Sequence, residues 1–222
     1  MPSSSTPPTI ARPRLVALLE AATQQHVVII GDAMLDVYLR GDVDRISPEA
    51  PVPVVRVRER RLALGGAANV AQNVAALGAR CDLVAVVGDD VAGAALRERL
   101  DTGGMSSRSL VTVGRPTTSK TRVMARSQQL VRFDEEDDAD LSSDDVTRVL
   151  AAIERALPDA TALVFEDYNK GVLVPAVIEG AIRMATARNL PVVVDPKFRN
   201  FFAYRGATVF KPNRRELEGA LG

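Results

Sequence analysis

The sequence is poor in the residue types that build disulfides, histidine metal sites and aromatic surfaces. Its 222 residues include one cysteine, one histidine and no tryptophan, and aromatic residues make up 4%. A single cysteine excludes an internal disulfide and a multi-cysteine zinc site, and it is typical of a reducing compartment. No apolar run approaches the ~20 residues that a membrane-spanning helix needs. We therefore expect a cytoplasmic protein that does not bind a membrane.

An excess of charge of either sign is also missing. The chain has 28 lysines and arginines against 28 aspartates and glutamates, so its formal net charge is zero. Non-specific nucleic-acid binding usually requires an excess of positive charge, so we expect no nucleic-acid partner. Residues 1–8 are rich in serine, threonine and proline and lack the apolar stretch of a secretory signal. We expect residues 1–13 to form a disordered tail.

From about residue 14 to residue 222, apolar runs that predict buried strands alternate with segments of helical periodicity. The predicted strands are residues 26–30, 83–87, 109–113, 163–165, 192–194 and 208–210. This alternation predicts a doubly wound, mostly parallel α/β sheet. Two extended, half-polar segments interrupt it, at about residues 36–57 and 117–133, and prolines confine the first of them to a sheet edge. These two segments predict a small, separate β-layer.

Polar side chains follow the predicted strands, at the edge where ligands of doubly wound proteins bind. Asp32 and Asp36 follow the first strand, where carboxylates suit the hydroxyl groups of a sugar, although both could simply form turns. Gly65 and Gly66 open a helix whose first turn contains Asn69, so a ligand could approach the backbone and meet the amide. A tight turn with a helix cap would explain the same residues.

Two further groups are candidates for binding phosphate. Segment 117–132 alternates cations with amides, which could clamp a phosphate or could form a solvated strand face. Its candidates are Lys120, Arg122, Arg126, Gln128, Gln129 and Arg132. The later strands are followed by Asp167 and Lys170, by Asp195 and Lys197, and by Asn213, Arg214, Arg215 and Glu216. Asn213 and Glu216 could organise hydrated Mg²⁺ and nucleotide phosphates, or could form a capping box.

Other features predict only structural roles. Residues 134–138 are all acidic and predict a solvated linker. His26 has no second histidine to share a ligand with, and Cys81 begins a buried strand, so both are expected to be structural.

Taken in order, these groups resemble the motifs of the ribokinase-like (PfkB) carbohydrate kinases, from about residue 26 to residue 222. The matching motifs are Gly31 with Asp36, Gly65-Gly66-Ala67-Ala68-Asn69, Gly88-Asp89-Asp90 with Gly93, and Asn213-Arg214-Arg215-Glu216. One branch, the D-glycero-β-D-manno-heptose 7-phosphate kinases, is also similar at residues 45–55, 118–132, 167–171 and 195–197. The resemblance implies a ribokinase-like, three-layer α/β fold with a small β-lid, and a homodimer formed through that lid.

The same resemblance implies ATP and Mg²⁺ as cofactors, and phosphorylation of the anomeric hydroxyl of heptose 7-phosphate in ADP-heptose and lipopolysaccharide biosynthesis. The residues that it assigns to the substrate are Asp36, Gly65, Gly66, Asn69, Lys120, Arg122, Gln129, Arg132, Asp167 and Lys170. Those that it assigns to nucleotide and Mg²⁺-phosphate are Asp195, Lys197, Asn213, Arg214, Arg215 and Glu216, with Glu216 holding the metal through water.

Members of this family continue beyond the Asn-x-x-Glu motif into a segment with a Gly-Ala-Gly-Asp motif, whose aspartate is the catalytic base. We therefore expect this chain to form the N-terminal two-thirds of such a domain, incomplete at its C-terminus. It would contain no catalytic residue, the base would lie beyond Gly222, and the chain alone would be inactive. Two alternatives stay open: a non-catalytic sugar-phosphate-binding or dimerisation module, and a related sugar kinase with another substrate.

Overall fold

A computed structural model of the chain describes residues 10–222, and the first nine residues of the predicted tail lie outside this range. The helices within it are α1 (Arg12–Ala22), α2 (Ala67–Ala76), α3 (Val91–Thr102), α4 (Ser143–Ala156), α5 (Pro175–Thr186) and α6 (Arg214–Leu221). The strands are β1 (His26–Gly31), β2 (Ala33–Ile46), β3 (Pro53–Gly66), β4 (Arg80–Gly88), β5 (Leu110–Val113), β6 (Ser119–Ala125), β7 (Gln128–Glu135), β8 (Ala162–Glu166), β9 (Val192–Asp195) and β10 (Val209–Phe210). Helix α1 starts at Arg12, two residues before the predicted start of the folded part at residue 14, because Pro13 fits the first turn of a helix.

The main sheet is parallel throughout, with the strand order β10-β9-β8-β1-β4-β5. The β-branched run of β1 is buried on both faces, with Val28, Ile29 and Ile30 inaccessible to solvent. Helices α4 and α5 pack on one face, and α2 and α3 pack on the other. The predicted three-layer, doubly wound architecture is confirmed.

A second sheet has the order β3-β2-β6-β7 and forms the lid. Strands β2 and β3 form an antiparallel hairpin, β6 runs parallel to β2, and β7 returns antiparallel to β6. The predicted pairing of the two extended segments is therefore confirmed. Pro48 and Pro51 lie in the turn of the hairpin and Pro53 begins β3, so the predicted edge position is correct for β3 and wrong for β2, which lies between β3 and β6. Both arms of the hairpin are 14 residues long.

The two faces of the lid have different surroundings, since side chains alternate along each strand. Leu35 and Val37 of β2, with Ser119 and Thr121 of β6, line a cavity of about 570 Å³ towards α3. Asp36, Lys120 and Arg122 have the opposite parity along the same strands, so they lie on the other face.

Both ends of the hairpin meet the main sheet at the carboxyl end of β1. Asp32 separates β1 from β2, and Gly66 is the last residue of β3, directly before α2. The Ala67 N–H donates to the Asp32 carbonyl at 3.0 Å. A Cβ at Gly66 would lie 2.2 Å from that same oxygen, so this approach needs glycine.

Asp90 and His26 both make contacts that stabilise the fold. Asp90 caps α3 by accepting from the Gly93 N–H at 2.7 Å, and it also accepts from the Thr117 N–H at 2.8 Å. His26 is buried with its Nε2 2.7 Å from Asp82 Oδ2. Among residues 10–222, no helix is both long and apolar enough to cross a membrane.

Candidate active site

The base of the lid places Asp36 beside three other predicted site residues. Asp36 Oδ1 accepts from Arg122 Nη1 at 2.5 Å, and Lys120 is the β6 residue in register with Asp36. A Cβ at Gly65 would lie 2.7 Å from both Asp36 Oδ2 and Met34 Cγ, so only glycine fits against this carboxylate. The hydrogen bond with Asp36 raises the pKa of Arg122, so the guanidinium stays charged.

Two lysines from different parts of the fold converge on acidic side chains near this point. Lys120 Nζ lies 2.9 Å from Asp134 Oδ2 and 3.2 Å from Glu136 Oε2, and Lys170 Nζ lies 2.6 Å from Glu136 Oε1. The prediction that residues 134–138 form only a solvated linker is therefore wrong for Asp134 and Glu136. Asp134 belongs to β7, where it lies directly opposite Lys120.

The loop that carries Lys170 is fixed from below by the buried Asp32. This carboxylate accepts from the backbone N–H groups of Tyr168 at 2.8 Å, Lys170 at 3.0 Å and Val172 at 3.3 Å. Burial raises the pKa of Asp32 to about 6, although the hydrogen bonds from Lys170 and Tyr168 oppose the shift. The sequence left two roles open for Asp32, sugar binding and turn formation, and its contacts in the structure are those of a turn-forming residue.

The same loop is tied to the segment that leaves the lid. Arg115 donates to the Lys170 carbonyl at 2.8 Å and to the Ala139 carbonyl at 2.7 Å. Gly171 has φ of +75°, and a Cβ there would lie 2.0 Å from the Ala139 carbonyl oxygen. Lys170 is therefore held by backbone contacts on both sides.

Asp167 is not available to a ligand as the sequence predicted. It is buried, its Oδ1 accepts from the Asn169 N–H at 2.8 Å, and its Oδ2 accepts from the Tyr204 hydroxyl at 2.8 Å. Both oxygens are occupied by the protein, so Asp167 supports the loop from beneath the site.

The remaining predicted substrate residues are exposed. Asn69 lies in the first turn of α2. Gln129 pairs with Met124 beside the turn between β6 and β7, at the outer end of the lid. Arg132 Nε lies 3.0 Å from Asp134 Oδ1, which links it to the Lys120 cluster through that carboxylate.

The residues predicted for nucleotide and Mg²⁺ form a second cluster after β9 and β10. Lys211 Nζ lies 3.0 Å from Asp195 Oδ2, and Lys197 pairs with the buried Glu216. Glu216 Oε2 accepts from the Asn213 N–H at 2.7 Å, and Asn213 Oδ1 accepts from the Glu216 N–H at 2.9 Å. The capping box left open by the sequence is therefore present.

The two arginines of this motif lie outside the cluster. Arg214 and Arg215 are both exposed, and Arg214 Nε lies 2.7 Å from Glu218 Oε1 on the same helix.

Glu166 is a member of this cluster that the sequence analysis did not select. It ends β8 in register with Asp195, the last residue of β9. Burial, and secondarily the charge of Asp195, raise the pKa of Glu166 to about 7, while Lys211 and Lys197 oppose the shift. The sequence did contain a signal for Glu166, namely its position at the end of a predicted strand. Neighbouring parallel strands that both end in an acidic residue bring the two carboxyl groups together.

Carboxylates and phosphates are suitable ligands for Mg²⁺, which usually keeps several waters and takes one or two protein carboxylates. Within residues 10–222, no group of three or more histidine, cysteine, aspartate or glutamate side chains is placed to hold a metal. The adjacent Glu166 and Asp195 carboxyls nevertheless fit a cation bound partly through water and phosphate, because their mutual repulsion favours a positive charge between them.

Comparison with known proteins decides the family. Residues 24–222 match the profile of the family described as pfkB family carbohydrate kinase. The chain belongs to this family. The resemblance predicted from the motifs is thereby confirmed.

Two curated relatives illustrate the similarity. The chain is 47% identical over 211 residues to the bifunctional protein HldE of Rhodospirillum rubrum, an alignment that covers 95% of this chain and 42% of the relative. It is 46% identical over 203 residues to the D-beta-D-heptose 7-phosphate kinase of Bordetella bronchiseptica, covering 91% of this chain and 64% of the relative. The chain thus spans less than half the length of its HldE relatives.

Solved structures agree on the fold. A structure of Arabidopsis thaliana ribokinase complexed with ribose and ATP has a TM-score of 0.60 at 18% identity, with 88% of this chain and 62% of that one covered. The tetrameric inhibited form of Escherichia coli phosphofructokinase-2 has a TM-score of 0.65 at 19% identity, with 88% and 63% covered. At these identities the likeness establishes the ribokinase-like fold alone.

Proposed function

We propose that this chain provides the sugar-phosphate side of an ATP-dependent kinase that phosphorylates the anomeric hydroxyl of D-glycero-D-manno-heptose 7-phosphate, in ADP-heptose biosynthesis. The observation that carries the proposal is the convergence of Asp36, Gly65, Lys120 and Lys170 at the base of the lid. A carboxylate beside a glycine backbone suits sugar hydroxyls, and two ammonium groups suit a phosphate. The relatives named as heptose 7-phosphate kinases support the choice of sugar.

Asp36 would accept hydrogen bonds from sugar hydroxyls while Arg122 orients its carboxylate. The backbone at Gly65 and Gly66, together with Asn69 in the first turn of α2, would contact other hydroxyl groups of the same sugar. Lys120 and Lys170 would bind the 7-phosphate. Gln129 and Arg132 belong to β7, and their contact with the substrate stays a prediction.

The second cluster would receive the nucleotide. Lys197 and Lys211 would contact nucleotide phosphates, with Asn213, Arg214 and Arg215 nearby on the first turn of α6. Asp195 and Glu166 would hold hydrated Mg²⁺. The predicted water-mediated contact of Glu216 with the metal would require Lys197 to leave Oε1, because the Asn213 N–H already occupies Oε2. The metal would neutralise phosphate charge during transfer.

Transfer requires a base that removes the proton from the anomeric hydroxyl, so that its oxygen can attack the γ-phosphorus and ADP can leave. The resemblance puts that base beyond Gly222. We therefore propose that residues 10–222 bind and orient the sugar phosphate, and that they do not supply the base.

A homodimer through the lid also stays part of the proposal. Exposed apolar side chains lie towards the outer end of the lid hairpin: Val43, Ile46, Val52 and Val57. An apolar strip on a lid that projects from the main sheet suits a second copy of the same lid.

The proposal is tested by removing the charge of Asp36. Asp36→Asn keeps the size of the side chain but removes the charge, and it should weaken heptose 7-phosphate binding by about 1–3 kcal/mol if the carboxylate accepts hydrogen bonds from hydroxyls. Isothermal titration calorimetry measures this directly. Asp42→Asn is the matched control, because Asp42 lies on the same strand but pairs with the exposed Arg58.

Unchanged affinity in Asp36→Asn would remove Asp36 from the site. Binding without phosphate transfer in a longer protein that includes the Gly-Ala-Gly-Asp motif would instead favour a non-catalytic sugar-phosphate-binding module.

A further inference from the structure

Glu136 lies between the two lysines that the proposed function assigns to the substrate's phosphate. Lys170 Nζ donates to its Oε1 at 2.6 Å and Lys120 Nζ donates to its Oε2 at 3.2 Å. Lys120 is on lid strand β6, Lys170 follows β8 of the main sheet, and Glu136 follows β7 directly. One carboxylate thus joins the lid to the main sheet through two ammonium groups.

The two lysines in this contact are largely buried. The side chains of Lys120 and Lys170 are only 16% and 17% exposed. Burial works to raise the pKa of Glu136, but the hydrogen bonds from Lys170 and Lys120 outweigh it and hold the pKa below its usual value. Two poorly solvated ammonium groups near each other need a counter-charge. Lys120 also pairs with Asp134 at 2.9 Å, but among residues 10–222 Glu136 is the carboxylate that contacts both lysines.

A bound phosphate would compete with this carboxylate. It would need hydrogen bonds from the same two ammonium groups, and its negative charge would repel Glu136 at a separation of a few ångströms. A phosphate dianion brings more charge and more acceptor oxygens than a carboxylate. A neutral sugar brings hydroxyl groups alone, which cannot replace the lost ion pairs.

We propose that Glu136 is an internal counter-ion that occupies the phosphate-binding position of Lys120 and Lys170 and is displaced when a phosphorylated sugar binds. This inference rests on the proposed function, because it takes the two lysines as the phosphate ligands. Glu136 then acts as a specificity-determining residue. A dianionic ligand can exchange with it, while an unphosphorylated sugar meets lysines that are already paired.

The experiment removes the charge of Glu136 and measures the binding of three probes to the full chain by calorimetry. The probes are heptose 7-phosphate, unphosphorylated heptose and inorganic phosphate. Glu136→Gln should bind the two phosphate-containing probes about fivefold more tightly, the effect of losing one partly exposed ionic competitor, and should bind unphosphorylated heptose as the wild type does. Asp138→Asn removes the same charge two residues away, where the partner is the exposed Arg199, and should change nothing.

A double variant tests whether the tighter phosphate binding of Glu136→Gln depends on the lysines. In Lys170→Met, adding Glu136→Gln should produce less than half of the gain seen in the wild type, since the shared partner is absent. A gain that persists in full would overturn the inference, as would unchanged or weaker phosphate binding in Glu136→Gln with unaltered thermal stability. Weaker binding would make Glu136 a residue that positions the lysines.

A different result would contradict the proposed substrate. If Glu136→Gln strengthens the binding of inorganic phosphate while no variant distinguishes heptose 7-phosphate from heptose, the counter-ion role stands and the choice of sugar phosphate is wrong.

Discussion

Single carboxylates in this protein differ in whether burial or hydrogen bonding sets their charge. Asp32 is almost completely buried and its pKa is raised, while Asp90 has backbone hydrogen bonds that outweigh burial, so its pKa is lowered. The two residues should therefore give opposite dependences of folding stability on pH.

Asp32 should make the folded state less stable as pH rises. Its folded pKa of about 6 exceeds the unfolded value of 3.8, so the folded state holds the proton more tightly and loses that advantage between these two values. Asp32 should account for a loss of up to about 3 kcal/mol of unfolding free energy across this window, and Asp32→Asn should lack this share of the loss. Urea unfolding at a series of pH values from 4 to 7 measures the difference.

Asp90→Asn is the control of opposite sign. The lowered pKa of Asp90 means that its stabilising contribution is present above its unfolded pKa and is lost as pH falls, so the wild type should approach this variant in acid. A stability difference between wild type and Asp32→Asn that does not change with pH would contradict the raised pKa of Asp32.

The sequence predicted which residues gather at the strand ends, but not what each one contacts. The spacing of Asn213 and Glu216 already contained the capping box, because that contact is local. The role of Asp32 depends on β8 lying beside β1, since this arrangement brings Tyr168 and Lys170 over the carboxylate. Such tertiary contacts carry no signal in the spacing of one sequence.

At the scale of elements, the lid and the main sheet are joined by packed backbone as well as by charge. The Leu141 N–H donates to the Gly171 carbonyl at 3.2 Å, and Gly171 approaches the Ala139 carbonyl. The segment after β7 thus lies against the loop after β8. A change at this contact should affect both stability and the position of Lys170.

Gly171→Ala should lower the free energy of unfolding by about 2–4 kcal/mol, since the added Cβ suffers both a positive φ and a backbone clash. It should also weaken phosphate binding, because Lys170 is the preceding residue. Chemical denaturation and calorimetry measure the two effects. Gly104→Ala is a matched control with the same φ of +75° and no atom within 4 Å of the new Cβ, so its cost should be about 1–2 kcal/mol. Equal losses in the two variants would mean that the contact with Ala139 adds nothing.

The existence of the lid could be predicted from its edge-type segments, whereas its register could not. Asp134 lies opposite Lys120 in β7 and β6, and a shift of one residue would turn Asp134 to the other face. The acidic run therefore looked like a solvated linker until the pairing of the two strands was known.

At the scale of the whole molecule, an aromatic patch lies beside the edge strand β10. Phe201 packs against Phe202 and Phe210 with ring centroids 5.2 Å and 5.0 Å apart, and Phe198 approaches Gly219 of α6. Phe202 is 67% exposed and Phe198 is 52% exposed. Exposed aromatic side chains next to an unpaired strand edge favour association.

The 222-residue chain alone should self-associate and should transfer no phosphate from ATP. The patch accounts for the first expectation, and the catalytic base expected beyond Gly222 accounts for the second, since losing general-base catalysis costs about 10²–10⁴-fold in rate. Size-exclusion chromatography with light scattering and a coupled ADP-release assay with heptose 7-phosphate, ATP and Mg²⁺ test them together. Phe202→Ser should reduce association, whereas Leu77→Ser, at an exposed leucine on the α2 end, should not.

Robust turnover by this chain would mean that the catalytic groups have been misplaced. A compact, inactive monomer would leave the chemistry intact and would contradict the role given to the aromatic patch.

The parallel pairing of β2 with β6 has a consequence for synthesis on the ribosome. Leu35 pairs with Ser119, so the β2–β3 hairpin leaves the exit tunnel long before its other neighbour. At about 5–20 residues per second, the nascent chain carries an unpaired β2 edge for on the order of ten seconds. During that interval the hairpin can pair with another nascent chain, so slow codons between β3 and β6 would lengthen its exposure and would increase its dependence on chaperones.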